Sequence, residues 1–176
     1  MEFQLNLGIV STQLEKKKTP YRVEHTIGTG SFGTVVKAHV EESGEPVAIK
    51  FVHASKMHEY MCAEVRNHRI LQHPHVIRFQ RALEVGGHLA LVMEYANGSS
   101  LYQAVKKHRK FSEPLARWIF QQLILAVDYC HKKGIASGNI KCENVLLIRN
   151  EQCPIVKLSD NTYGHSTSAI GSSCRR

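Results

Sequence analysis

Ile27-Gly28-Thr29-Gly30-Ser31-Phe32-Gly33-Thr34-Val35-Val36-Lys37-Ala38 is the stretch on which the fold turns. Its glycines follow the spacing GxGxxG, which serves two architectures. In a dinucleotide fingerprint the glycines lead directly into a helix. Here they lead into Thr-Val-Val-Lys-Ala, which alternates as a strand does, and Tyr21 to Ile27 alternates before them. The glycines therefore join two antiparallel strands and form a flap. Without side chains, its backbone amides can come close to phosphate oxygens.

Further elements extend outward from this hairpin. Glu41 to Pro46 is a turn, and Pro46 to Val52 is a short apolar strand. Lys56 to Leu71 changes to helical texture: Met57, Met61, Glu64, His68 and Leu71 are three or four apart and share a face. His73-Pro74 stops that helix. Val76 to Val85 and His88 to Tyr95 read as two strands joined at Gly86-Gly87. The sum is a five-stranded antiparallel sheet with one inserted helix. The second half begins with a long helix, with Ser112 as N-cap and Pro114 in its first turn. Its run LARWIFQQLILAVDYC is apolar on most sides, with Arg117, Gln121 and Asp128 as a narrow polar stripe, so it expects neighbours all around. It ends at Lys132-Lys133-Gly134. A polar loop and the strands Val145 to Ile148 and Ile155 to Leu158 follow.

Five positions in this framework carry chemistry. Val47-Ala48-Ile49-Lys50 ends in a lysine that either snorkels to solvent or reaches a ligand. Glu64 falls on the inward face of the next helix, where an ion pair with Lys50 would hold the ammonium over α- and β-phosphates. In the loop Ser137 to Leu147, SGNIKCENVLL, Lys141 and Asn144 lie three residues apart between two apolar runs, a layout suited to phosphate and metal. Asp160 follows the last strand. Asn144 and Asp160 are the oxygen donors that Mg²⁺ takes.

Taken together, GTGSFGTV, VAIK, Glu64, LVMEY, IKCEN and KLSD make the chain resemble the eukaryotic protein kinases over Tyr21 to about Asp160. FSEPLARWIFQQLILAVDYCH and KCENVLL resemble the Ser/Thr branch of calcium/calmodulin-dependent, AMP-activated and testis-specific kinases. The resemblance implies an α+β, protein-kinase-like fold with ATP and Mg²⁺ held between a β-rich and a helical lobe. It divides the chain into an N-terminal extension (1–20), an N-lobe (21–95), a partial C-lobe (96–163) and a truncated, disordered activation segment (164–176). ATP would be contacted by the flap from Ile27 to Val35 and by Ala48, Lys50, Glu64, Met93, Glu94, Ala96 and Leu146. Asn144 and Asp160 would hold the metal.

The departures from that family are local. Where its catalytic loop reads His-Arg-Asp, this chain reads Ser137-Gly138-Asn139. The family's aspartate orients the substrate hydroxyl and takes its proton. Asn139 can orient a hydroxyl but has no basic group at neutral pH. The loop's catalytic positions are thus Asn139 and Lys141. Asp-Phe-Gly is altered to Asp160-Asn161-Thr162. Ser137 and Asn161 replace two buried side chains that align the family's lobes, and Gly138 replaces an arginine that pairs with a phosphorylated activation segment. The chain stops at Arg176, before the family's remaining helices, which leaves an apolar face on the long helix for a protein partner.

Bulk properties narrow the alternatives. Net charge is +8, spread over small clusters without interleaved aromatics, which argues against nucleic-acid binding. No run is long enough to span a membrane, and the N-terminus lacks the pattern of a signal peptide. An intracellular setting, cytoplasmic rather than nuclear, is expected. The five cysteines are scattered without a CxxC pair, and His73-Pro74-His75 reads as two surface histidines about a turn. The expectation is an ATP-binding protein kinase-family domain with little phosphotransfer. The alternatives are a non-enzymatic module docked on another kinase or scaffold, and an active Ser/Thr kinase with an atypical loop.

Overall fold

The computed structural model describes residues 20–30, 33–53, 60–136, 138–150, 153–159 and 165–166, with backbone alone at 30, 53, 60–64 and 165–166. It divides into two units, one running to Cys62 and including Phe79–Tyr95, the other comprising Ala63–Arg78 and the chain from Ala96.

The first unit is an antiparallel sheet of β1 (Tyr21–Gly30), β2 (Gly33–Val40), β3 (Pro46–His53), β4 (Phe79–Val85) and β5 (His88–Glu94), in the order β1-β2-β3-β5-β4. The β-branched and aromatic content of β3 suits its central place. Alternate residues on neighbouring strands fill one face of the sheet: Val36, Ala38, Val47, Ile49, Phe51, Ala90 and Val92 form a buried cluster with Tyr21 and Val85. The β4–β5 turn uses Gly86 and Gly87 at φ 56° and 73°, the positive angles of a tight hairpin. Register breaks in β1 leave Glu24 and Ile27 as extra residues. Such bulges bend a strand and re-aim its side chains. Glu24 is thereby placed to accept from Lys37 Nζ at 2.8 Å and His25 Nδ1 at 3.1 Å, and the Lys37 bond holds its carboxyl below the usual range.

Helix α1 (Tyr60–Arg69) reaches from the first unit into the second. The second unit continues with α2 (Leu101–His108), α3 (Glu113–Lys132) and the three-stranded sheet β6-β8-β9, of Gly98–Ser100, Val145–Ile148 and Ile155–Leu158. The short strands β7 (Ile135–Ala136) and β10 (His165–Ser166) pair antiparallel. The rest of the segment 164–176, and the extension before Pro20, lie outside the described residues. Ser112 is the N-cap of α3, as expected, with Pro114 in the first turn; its backbone carbonyl accepts from Ala116 N at 2.9 Å, and its side chain makes no cap bond. The helix buries Ile119, Gln122, Ala126 and Cys130, which are three or four apart, while Trp118, Phe120, Ile124 and Leu125 are exposed. Among the described residues it is therefore covered on one face rather than all around. Gln122 is the polar exception in that face. Its amide donates to Trp118 O and Pro154 O, and its Oε1 accepts from Val156 N at 3.1 Å, which clamps β9 to α3.

The segment between α1 and β4 corrects two expectations. Val76 to Arg78 do not belong to β4; Val76 forms a parallel bridge to Leu158 of β9, and Ile77 N donates to Leu158 O. The reason is burial: Leu71, Val76 and Leu158 all lie in the second unit's core. Hiding each is worth about 1.5–3 kcal/mol. His73 and His75 are half-buried rather than surface residues. His73 stacks on Tyr129 with ring centroids 4.8 Å apart, and His75 Nδ1 donates to Val156 O at 3.0 Å. His73 Nδ1 in turn accepts from His75 N at 3.1 Å, so this nitrogen must lack a proton.

Burial, then the neighbouring His75 and Lys157, push the His73 pKa below its ordinary value of 6.5. The unfolded chain therefore binds a proton at this site more readily than the folded one. This contribution to stability is complete above the ordinary value and is lost as the pH falls towards the lowered one. On going from about pH 7 to about pH 5 the thermal midpoint should fall, and His73→Asn, which keeps an acceptor but cannot ionise, should fall less steeply. Parallel pH–midpoint curves for the two proteins would contradict this assignment.

Candidate functional site

The residues singled out by the sequence lie on both units, and each group has its own geometry. On the first unit the register places Val35 opposite Lys50, Lys50 opposite Leu91, and Ala48 opposite Met93. Directly opposed residues share a face. Val35, Ala48, Lys50 and Met93 thus project together from the face of the sheet opposite the cluster of Val36, Ile49 and Val92. Lys50 is 4% exposed, with Ala48 and Met93 also buried. An ammonium so far from water needs compensation from a negative or strongly polar group. Glu64 is in α1, but its side chain lies outside the described residues, and with it the Lys50–Glu64 pair. Glu94, half-buried, closes β5 opposite Val47.

The flap is the meeting of β1 and β2, paired down to Gly30 opposite Gly33, with Ser31 and Phe32 outside the described residues. Ile27, at the second bulge, is 43% exposed; Thr29 is also exposed, and Thr34 is buried. Two of its glycines differ in kind. A Cβ on Gly33 would sit 2.0 Å from Phe51 O, and its φ is 138°. A Cβ on Gly28 would meet nothing within 4 Å. Gly33 is required by the packing of β2 on β3; Gly28 answers to no neighbour among the described residues.

On the second unit the centre is Asn144. It closes a single 3₁₀ turn, Cys142–Asn144, with its N–H on Lys141 O at 2.9 Å. Its side-chain Nδ2 donates to Asn139 O at 2.8 Å, while its own carbonyl accepts from Ser159 N at 2.8 Å and Ser159 Oγ at 3.2 Å. One residue thus ties the loop at Asn139 to the end of β9. Because Nδ2 is committed to Asn139, Oδ1 is left as the acceptor, the hard oxygen that Mg²⁺ prefers. The donor chemistry at Asn144 therefore fits that ion, and a buried ammonium on the other unit fits a phosphate. Asp160, Asn161 and Thr162 lie outside the described residues, as does Ser137. Lys141 and Gly138 are exposed, Asn139 is half-buried, and Leu146 alternates with buried Val145 and Leu147 along β8. Ala96 is half-buried before β6, its carbonyl accepting from Gly98 N at 2.9 Å.

Three contributors escaped the sequence reading. Ser159 and Gln122 act through hydrogen bonds that follow no sequence spacing. Helix α2 was legible: Ser100 accepts from Gln103 N, and the Gln103 side chain accepts from Ser100 N, a capping box written as Ser-x-x-Gln.

The family model described as "Protein kinase domain" matches residues 21–174. Serine/threonine-protein kinase SRK2H of Arabidopsis thaliana is 40% identical over 151 residues, covering 85% of this chain and 41% of the relative. Serine/threonine-protein kinase SRK2C of the same plant is 42% identical over 151 residues, covering 85% and 43%. Serine/threonine-protein kinase SAPK9 of Oryza sativa subsp. japonica is 38% identical over 151 residues, covering 85% and 41%. The chain thus spans about two-fifths of the length of these curated relatives.

The contrast between the glycines separates packing from ligand contact. Gly33→Ala is expected to lower stability by about 1–3 kcal/mol through overpacking and backbone strain. Gly28→Ala is expected to leave the thermal midpoint near wild type while weakening the gain in midpoint on adding Mg-ATP. Equal nucleotide-induced shifts in wild type and Gly28→Ala would mean that Gly28 touches no ligand.

Proposed function

Because this chain belongs to the protein kinase domain family, we propose that it binds ATP with Mg²⁺ and transfers the γ-phosphate weakly or not at all. Asn139 carries the proposal. It stands where the family has its aspartate, and its carbonyl is held by Asn144, so the loop is ordered around a group that cannot take a proton. General-base catalysis supplies about 10²–10⁴-fold, and that portion is forfeited. Positioning and charge neutralisation, the larger part of phosphoryl transfer, still have Lys50, Lys141 and Asn144 to supply them. In this reading the flap and Lys50 hold phosphates, Ala48, Met93 and Leu146 receive the base, and Asn144 with Asp160 orients the metal.

The relatives' names supply serine and threonine hydroxyls as the acceptor class, and FSEPLARWIFQQLILAVDYCH with KCENVLL supports the branch near the AMP-activated kinases. A setting inside the cell, cytoplasmic rather than nuclear, goes with this chemistry. A second reading, a non-catalytic module that docks on another protein, is favoured by the exposed Trp118, Phe120, Ile124 and Leu125 of α3.

The test combines nucleotide-dependent thermal shift with radiolabel transfer to a generic Ser/Thr substrate. Mg-ATP should raise the midpoint of the wild-type chain and not that of Lys50→Met. Transfer should be near background and should rise by about 10²–10⁴-fold in Asn139→Asp. Brisk wild-type transfer that Lys50→Met abolishes would instead establish an active kinase with an atypical loop.

A further inference from the structure

The last turn of α2 and the residues after it read Lys106-Lys107-His108-Arg109-Lys110, five consecutive basic residues, and every one is exposed. No acidic residue occurs between Glu94 and Glu113. Among the described residues none of the five is ion-paired, whereas Arg117 is matched by Glu113, Lys132 by Asp128, and Lys37 by Glu24. Cations in the last turn and at the cap complement a helix dipole, and Lys110 lies beyond the cap. Arg109 also has φ 63°, the one positive φ at a non-glycine among the described residues. A positive φ is costly for a side chain with a Cβ. The chain keeps a large cation there at a cost in backbone strain.

The spacing adds a second component. Tyr102, Val105 and Lys106 stand at i, i+3 and i+4 and share a face, with Arg109 just beyond the helix end. Tyr102 is 48% and Val105 39% exposed, while Leu101 and Ala104 on the other side pack into the core. An aromatic and an aliphatic side chain are thus set beside unpaired cations. We propose that this face of α2 is a docking surface for an acidic peptide segment of a partner protein that carries apolar side chains between its carboxylates. Charge complementarity supplies the carboxylates, and Tyr102 with Val105 supplies the need for apolar ones. A nucleic acid is the poorer match, since a strand is gripped by successive aromatics and this face offers one. A lipid surface is also poorer, because the eight-residue helix presents no Trp, Phe or Leu outward with its cations.

The site is separate from the nucleotide reading and is tested separately. Random peptides displayed on phage are selected on the full chain, and an enriched peptide is synthesised for fluorescence anisotropy. Enriched sequences should combine Asp and Glu with Leu, Phe or Trp. The peptide should bind Lys106→Glu/Arg109→Glu at least about tenfold more weakly. It should also bind Tyr102→Ala more weakly and Lys50→Met unchanged. These side chains are exposed, so thermal midpoints should stay near wild type and report any misfolding. The assignment is overturned by the absence of enrichment, by enrichment without acidic excess, or by unchanged affinity in either surface variant. Competition by oligouridine or phosphatidylserine vesicles that matches the peptide at equal charge also overturns it, leaving a general polyanion surface.

Discussion

A lysine inside a strand buried on both faces is the constraint around which the first unit is organised. Burying an ammonium costs several kcal/mol unless a counter-group meets it. Lys50 is nevertheless 4% exposed, at the centre of β3. The sheet accommodates it by separating its faces. One face closes into a cluster of valines, alanines, Ile49 and Phe51 that holds the strands together. The other keeps Lys50 beside Val35, Leu91, Ala48 and Met93, residues of graded size around one charge. The packed cluster and the buried lysine thus lie on opposite sides of the same strands.

The second unit solves a related problem with a neutral group. Its loop between β7 and β8 must hold polar atoms in fixed positions, and loops on their own have few means of doing so. Asn144 supplies the means by bonding at both ends, from its amide to Asn139 and from its carbonyl to Ser159. Gln122 does the same for β9 from the side of α3. Each bond is worth about 0.5–1.5 kcal/mol net. Their joint effect is geometric: the strand that leads to Asp160 is tethered to the loop that carries Asn139 and Lys141. A catalytic base could be lost from such a loop without loosening it, since the bonds that order it run through the backbone carbonyl of Asn139 and not through its side chain.

The hairpins, the long helix and the order of the phosphate- and metal-binding candidates were all legible in residue patterns. Alternation placed β1 and β2, a short apolar run placed β3, and Gly86-Gly87 placed the turn before β5. Less visible were features set by distant partners. Val76 alternates with its neighbours as though it began β4, yet it pairs with Leu158, because a buried site in the second unit outweighs local continuity. Helix α3 reads as apolar on most sides, and nothing in its own sequence says which face is covered.

The sequence by itself determined the class of fold, the glycine-rich hairpin and the presence of Asn139 where the family has an aspartate, because each depends on residue type and short-range spacing. Tertiary structure alone decided that Gly33 is required by Phe51 while Gly28 meets no described neighbour, that His73 stacks on Tyr129 with its Nδ1 accepting from His75 N, and that Asn144 rather than Lys141 organises the loop. Those outcomes depend on atoms brought within a few ångströms by chain folding. No periodicity along the chain encodes such a distance.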